Sequence, residues 1–218
     1  MKKFTLEIVG MTPLLMHRDN IEHADRMQLW LKKSENKKAS RAGDDRTPGF
    51  TWVGSLYEHA GKVAIMTEAL LKCLSQAGAK IIKKKQETYK RVIPAATYFS
   101  SLGYALQVHG KEVSYDALVG KLHDETDYAK HCEEVKKHGF TLFAKRAAIG
   151  KSKHVRVRPH FDNWKLTATG NLDTDQVDTD IFADVVARAG NVGLGDWRPS
   201  SGSPGQYGVF TAEVKFSK

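Results

Sequence analysis

Few side chains in this 218-residue chain stand in a pattern that could do chemistry. His17, Asp19, His23 and Asp25 crowd into MHRDNIEHAD and invite a metal. They lack the H-x-x-x-H or H-E-x-x-H spacing that sets two imidazoles on one helix face, and no cysteine pair supplements them. Asp173, Asp175, Asp178, Asp180 and Asp184 invite calcium. An EF-hand loop needs a glycine at its sixth place and a glutamate at its twelfth, whereas Val177 and Asp178 stand in that neighbourhood. Helix caps and solvated turns account for these aspartates better. No G-x-S-x-G, no P-loop lysine and no Cys–His nucleophile pattern occurs. No cofactor is expected. One catalytic option remains, a histidine that deprotonates a ribose 2′-hydroxyl. His17, with Arg18 beside it at the end of the first strand, is the best-placed candidate, and phosphate contact is its simpler role.

Anion binding has wider support. Lys and Arg number 34 against 25 Asp and Glu, a formal charge of +9. The excess is polarised. KIIKKKQETYKR, Lys80 to Arg91, holds Lys83, Lys84, Lys85, Lys90 and Arg91 with one acid. KRAAIGKSKHVRVR, Lys145 to Arg158, holds Arg146, Lys151, Arg156 and Arg158 with none. A polyanionic partner fits such runs.

A third feature is AGNVGLGDWRPSSGSPGQYGVF, Ala189 to Phe210. Gly193 and Gly195 can adopt positive φ and bring backbone N–H groups close to a phosphate. Arg198 can fork onto a phosphate or stack on a base, and Trp197 can stack as well. The competing structural reading packs Trp197 into the core and sets Arg198 on carbonyls. This G-x-G follows a helical pattern, so it is no dinucleotide fingerprint, which follows a strand.

The elements that must position these residues are legible in outline. Phe4, Leu6 and Ile8 alternate with polar residues, a half-buried first strand. A weak helical pattern runs through Ile21, Met27, Trp30 and Leu31, and Ser34 to Gly49 reads as a mobile polar loop carrying Lys37, Lys38, Arg41 and Arg46. Thr67 caps a helix with Leu70, Leu71 and Leu74 on one face and Gly78 as its stop. Arg91 to Gly110 reads as extended, with Pro94 forcing an edge or a bulge. Ser114 to Gly139 reads as two short helices or one interrupted helix. Val155 and Val157 point one way from a strand and His154, Arg156 and Arg158 the other, with WKLTATG as the partner strand. Thr179 to Gly190 is a second helix, capped by Thr179 or Asp178, and a last strand holds Phe210, Ala212, Val214 and Phe216. Cys73 and Cys132 read as buried free thiols of a reducing cytoplasm. No apolar run is long enough to span a membrane and no signal peptide is expected.

Strand, helix, strands, helix, strand is the order of a ferredoxin-like, RRM-like α+β fold, an antiparallel sheet with both helices on one face. Its open face would be a platform of the kind that binds single strands. A glycine-rich loop between second helix and last strand resembles the signature of the RAMP superfamily of CRISPR-associated proteins, through Gly193, Gly195, Arg198, Gly208 and Phe210. LEIVGMTPLLMH also looks like that family's first strand and its Pro-Leu turn. The resemblance covers both ends of the chain and hardly touches residues 90 to 150. It implies one domain over residues 1–218, with an insertion at about 20–60 and a helical insertion at about 112–140. Among RAMPs the long first insertion is most similar to the backbone subunits that polymerise along a guide RNA, and stand-alone or virus-encoded relatives fit equally. The expectation is a cytoplasmic, non-catalytic binder of single-stranded RNA or DNA that forms a homo-oligomer or filament. A metal-independent endoribonuclease and a basic structural subunit are the alternatives.

Overall fold

Apolar alternation and helical spacing resolve into a mixed α+β protein with several antiparallel sheets. The computed structural model describes residues 1–39 and 41–217, so Ser40, inside the stretch expected as a mobile loop, lies outside the described residues. In chain order the elements are β1 (Lys2–Gly10), β2 (Leu14–Leu15), α1 (Ile21–Lys32), β3 (Glu58–His59), β4 (Lys62–Met66), α2 (Thr67–Gly78), β5 (Ile82–Lys84) and β6 (Glu87–Thr88). Then come α3 (Val92–Ala96), β7 (Thr97–Phe99), β8 (Gly103–Ala105), β9 (Gln107–Val108), β10 (Lys111–Glu112), α4 (Tyr115–Leu122) and α5 (Tyr128–Lys137). The chain ends with β11 (Thr141–Ile149), β12 (Ser152–Phe161), β13 (Trp164–Leu172), α6 (Thr179–Val192) and β14 (Phe210–Phe216). Among the described residues no helix is long and apolar enough to cross a membrane.

The chain divides into two units. The first comprises Met1–Leu14, Glu58–Val113 and Asp162–Lys218; the second comprises Leu15–Tyr57 and Ser114–Phe161.

In the first unit the main sheet has the order β10-β9-β13-β1-β14, and β7 pairs with β13 as well. Phe4, Leu6 and Ile8 of β1 are buried, as are Leu166, Ala168 and Leu172 of β13. Leu70, Cys73 and Leu74 of α2 and Val186 and Ala189 of α6 enclose one small apolar gap with Leu6 and Ile8, so both helices cover the same face. Phe4 meets Phe182 of α6 with ring centroids 5.2 Å apart. This apolar layer drives the unit's folding, since each buried Leu, Ile or Phe contributes about 1.5–3 kcal/mol.

The second unit has an aromatic core. Gly49–Ser55 forms a 3-10 helix that buries Phe50, Trp52 and Val53. Trp52 packs edge-on to Phe140 at 5.9 Å, and Phe140 tilts against Phe161 at 4.7 Å. His131, fully buried on α5, joins that core as a polar bridge: Trp52 Nε1 donates to its Nδ1 at 3.1 Å, and its Nε2 reaches Glu125 O at 2.8 Å. The Ser114–Gly139 segment is the two-helix alternative, α4 and α5.

Several expectations are corrected. WKLTATG does not pair with the strand before it: β12 pairs with β11, and β13 pairs with β1. The two-residue link Asp162–Asn163 looks like a hairpin turn, yet its strands enter different sheets. Pro94 sits third in α3, in a first turn whose N–H groups have no intrahelical acceptor, so the proline costs no hydrogen bond. Thr67 is the first residue of α2 rather than its cap, and its Oγ1 donates to Ser101 O at 2.6 Å. Gly190 lies inside α6, where a Cβ would overlap the carbonyl of Phe210. Cys132 is half-buried rather than buried. The polar stretch from Ser34 is not a free loop throughout. Val155 N–H donates to Gly43 O at 2.7 Å and Asp45 N–H to Val155 O at 2.9 Å, a short bridge onto β12.

Candidate nucleic-acid interface

The residues expected to contact a strand fall into separate groups. Lys83 and Lys84 lie at the end of β5 and Lys85 follows at φ +53, in the tight β5–β6 hairpin of the first unit. All three are exposed, as are Lys90 and Arg91 just beyond the hairpin. In the second unit β11 and β12 pair over nine positions, from Thr141↔His160 to Ile149↔Ser152. Arg146, Lys151 and Lys153 are exposed at its far end. Among the described residues none of Lys83, Lys84, Lys85, Arg146, Lys151 and Lys153 forms an ion pair, whereas Lys130 meets Glu125 and Lys137 meets Glu134, each at 2.8 Å.

Arg156 and Arg158, expected as phosphate contacts, are largely consumed by the protein. Arg156 Nη1 donates to Asp45 at 2.9 Å. Arg158 is buried, its Nη1 donates to Val157 O at 3.0 Å, and it stands 4.0 Å from the same Asp45. One carboxylate thus faces two guanidiniums on one side of β12. Neighbouring Asp44 is also engaged: Arg46 grips it in a fork at 2.6 and 2.9 Å and holds its carboxyl below the usual range.

The glycine loop is bound largely to itself. Gly193 is buried with φ +79 and ψ 164, a region that is essentially glycine-only, and its N–H goes to Ala189 O at 3.1 Å. A Cβ there would come within 2.9 Å of Pro199 and 3.0 Å of Arg198. Backbone conformation, rather than room for a phosphate, requires this glycine. Gly195, at φ +76, offers its carbonyl to Arg198 Nη1 at 2.9 Å, while Arg198 Nε donates to Ser200 Oγ at 3.0 Å. Ser200 Oγ in turn donates to Gln76 of α2 at 3.0 Å. The half-buried Arg198 therefore clasps its own loop rather than a helix end. Trp197, at φ +47, is half-buried and tilts against Tyr207 at 6.3 Å instead of entering the core. These four residues are brought together, in the first unit.

His17 and Arg18 belong to the second unit. His17 is exposed and its carbonyl accepts from Tyr57 Oη at 3.4 Å, while Arg18 N–H donates to Ser55 O at 3.0 Å. Neither is at the end of β1, which stops at Gly10.

The open face of the main sheet differs from a base-stacking platform. Register sets Thr5 opposite Thr169 and Lys215, and Glu7 opposite Thr167 and Glu213. Lys215 bonds Glu7 at 2.8 Å, which cancels charge at the centre of the face. Tyr98, opposite Asn171, is 49% exposed and is the aromatic this face offers among the described residues. Single-strand platforms stack successive bases on several rings.

Two arrangements escaped the sequence. Ser101 Oγ lies 2.9 Å from His59 Nε2, a pairing that resembles a nucleophile and its base. Ser101 Oγ also lies 2.8 Å from Gly103 O, so the hydroxyl has a backbone acceptor as well as the imidazole, and the pair ties a turn together. The second is a groove beside α1 that collects Lys37, Arg41, His154 and Arg156. Its cations were visible in the sequence, but 111 residues separate Asp45 from Arg156 and no local pattern joins them. Among the described residues no group of three or more His, Cys, Asp or Glu is disposed to hold a metal ion. No protein-family model matches the chain, and no curated protein matches its sequence.

Proposed function

We propose that the chain is a non-catalytic binding protein for single-stranded RNA or DNA that grips phosphates through its two basic hairpins. The observation that carries this reading is the clustering of six exposed cations on two hairpins, Lys83, Lys84 and Lys85 on one and Arg146, Lys151 and Lys153 on the other, none of them in an ion pair among the described residues. Clustering three cations on each of two hairpins costs mutual repulsion, and a polyanion relieves it. Bases would contribute little, given the threonine-rich sheet face. The order β14-β1-β13-β7, with α2 and α6 on one side, supports a ferredoxin-like core. That core agrees with the RAMP resemblance of the glycine loop, which Arg198 and Ser200 tie to itself and to α2. Copies side by side along one strand, in the cytoplasm, complete the proposal.

The test is the salt dependence of binding to a labelled single-stranded oligonucleotide. Replacing Lys83, Lys84 and Lys85 by Gln should weaken binding to all sequences alike and flatten the slope of log K against log salt by about 2, at roughly 0.7 per lost phosphate contact. An unchanged slope and affinity would reject the first hairpin as a contact. Cleavage of labelled RNA in EDTA, lost in His17→Ala, would favour the ribonuclease reading instead.

A further inference from the structure

The groove beside α1 has a volume of about 570 Å³, within the range of small-ligand sites. Its lining is mixed in chemistry. Met27 and Leu31 of α1 supply apolar surface, and Thr51, whose Oγ1 donates to Pro48 O at 2.8 Å, lies beside them. Lys37, Arg41, His154 and Arg156 line the same groove. Two carboxylates, Asp44 and Asp45, also face the groove, but Arg46 holds the first and Arg156 the second. Lys37 and Arg41 remain, and neither pairs with a carboxylate among the described residues.

The floor of the groove is built rather than fortuitous. The bridge between Gly43 and Val155 fixes the polar stretch on β12, and the His154 imidazole lies so close over Gly43 that a Cβ there would overlap it. Gly43 has φ +72, the left-handed region in which glycine is at ease. This contact fixes the imidazole in the lining of the groove that Lys37 and Arg41 share.

Charge and shape together select a ligand class. Two cations outside any ion pair among the described residues match a dianion, and a terminal phosphomonoester carries close to two negative charges at neutral pH, where a phosphodiester carries one. The apolar side chains of Met27 and Leu31 suit a flat, weakly polar body attached to that phosphate. We infer that the groove binds a phosphomonoester dianion carrying a nucleobase, as in a nucleoside 5′-monophosphate or the 5′-phosphorylated end of a strand. The inference is independent of strand binding by the hairpins: a chain that failed to bind oligonucleotides and still bound the mononucleotide would leave it standing.

Calorimetric titration of the intact protein with uridine 5′-monophosphate, uridine and inorganic phosphate tests it. The monophosphate should bind, and omission of either its phosphate or its nucleoside should weaken binding. Lys37→Gln with Arg41→Gln should reduce the affinity by about tenfold or more, as expected for lost charge-assisted contacts. Both side chains are exposed, so the fold should be intact, and Lys83→Gln with Lys84→Gln should leave the affinity within about twofold. Equal affinity for uridine and its monophosphate, no heat at millimolar ligand, or equal losses in the two double variants would each overturn the assignment. A 5′-phosphorylated oligonucleotide that displaces the monophosphate, where its 5′-hydroxyl twin does not, identifies strand ends as the ligand. Displacement by neither identifies the free nucleotide. Equal displacement by both would mean that the groove reads backbone phosphates, and the inference would fail.

Discussion

Asp45 accepts a hydrogen bond from Arg156 Nη1 at 2.9 Å, across 111 residues of chain. The contact anchors the polar stretch after α1 to β12 and removes Arg156 from the pool of cations open to a polyanion. Asp45→Asn should therefore cost about 1–3 kcal/mol, because two guanidiniums on β12 lose their shared carboxylate. Protease cutting within residues 34–47 should also accelerate. A denaturation midpoint and cutting rate both equal to those of the parent would show that the bridge backbone alone holds the stretch.

The glycine loop predicts instability rather than lost binding. Gly193→Ala forces a Cβ into a glycine-only conformation, 2.9 Å from Pro199, and should cost at least about 1–3 kcal/mol. Arg198→Ala should lower the melting temperature as well, since Gly195 O and Ser200 Oγ lose their donor, and Arg198→Lys should restore part of it. Oligonucleotide affinity of the folded variants should stay near the parent value. Stable variants with lost affinity would instead make the loop a phosphate contact.

His131 sets an acid limit on the second unit. Burial pushes its imidazole below the ordinary 6.5, despite the opposing pull of Glu125. Above pH 6.5 the ring is neutral in both states, and its bond from Trp52 contributes in full. As pH falls below 6.5 the unfolded chain takes up a proton that the folded one resists, so stability declines down to the lowered folded value. His23, lowered by burial and by Arg26, adds in the same window. Glu134 acts lower: Lys137 and Lys121 hold its carboxyl near about 2, so its contribution is present above 4.5 and fades between 4.5 and 2. Urea midpoints between pH 8 and 5 should fall for the parent and fall less for His131→Gln. Parallel profiles would assign the loss to other groups.

The two thiols should differ in reactivity. Burial under α6 pushes Cys73 up to about 12, only slightly offset by Arg198, and its Sγ donates to Ala189 O at 3.4 Å. Cys132 is half-buried on α5. Iodoacetamide should label Cys132 in the native protein and Cys73 only on unfolding. Mass spectrometry of digested, briefly labelled protein decides, and early label on Cys73 would show that α6 opens readily.

Local pattern alone determined a good part of this protein. Alternation at Phe4, Leu6 and Ile8 and the helical spacing of Leu70, Leu74, Val185 and Ala189 specify which side of each element is apolar. That information is carried by neighbours a few residues apart, so β1, α2, α6 and β14 were legible, as were the two basic runs. Tertiary structure decided what each surface meets. β12 and β13 are adjacent in sequence with a hairpin-like link, yet β13 enters the sheet of β1 because its buried row, Leu166, Ala168 and Leu172, belongs to that core. Arg156 and Arg158 look in the sequence like Lys83 and Lys84, and only the fold supplies Asp45 to the first pair and, among the described residues, no carboxylate to the second. A charge's availability depends on what long-range packing places within about 4 Å of it, a distance that no sequence spacing encodes.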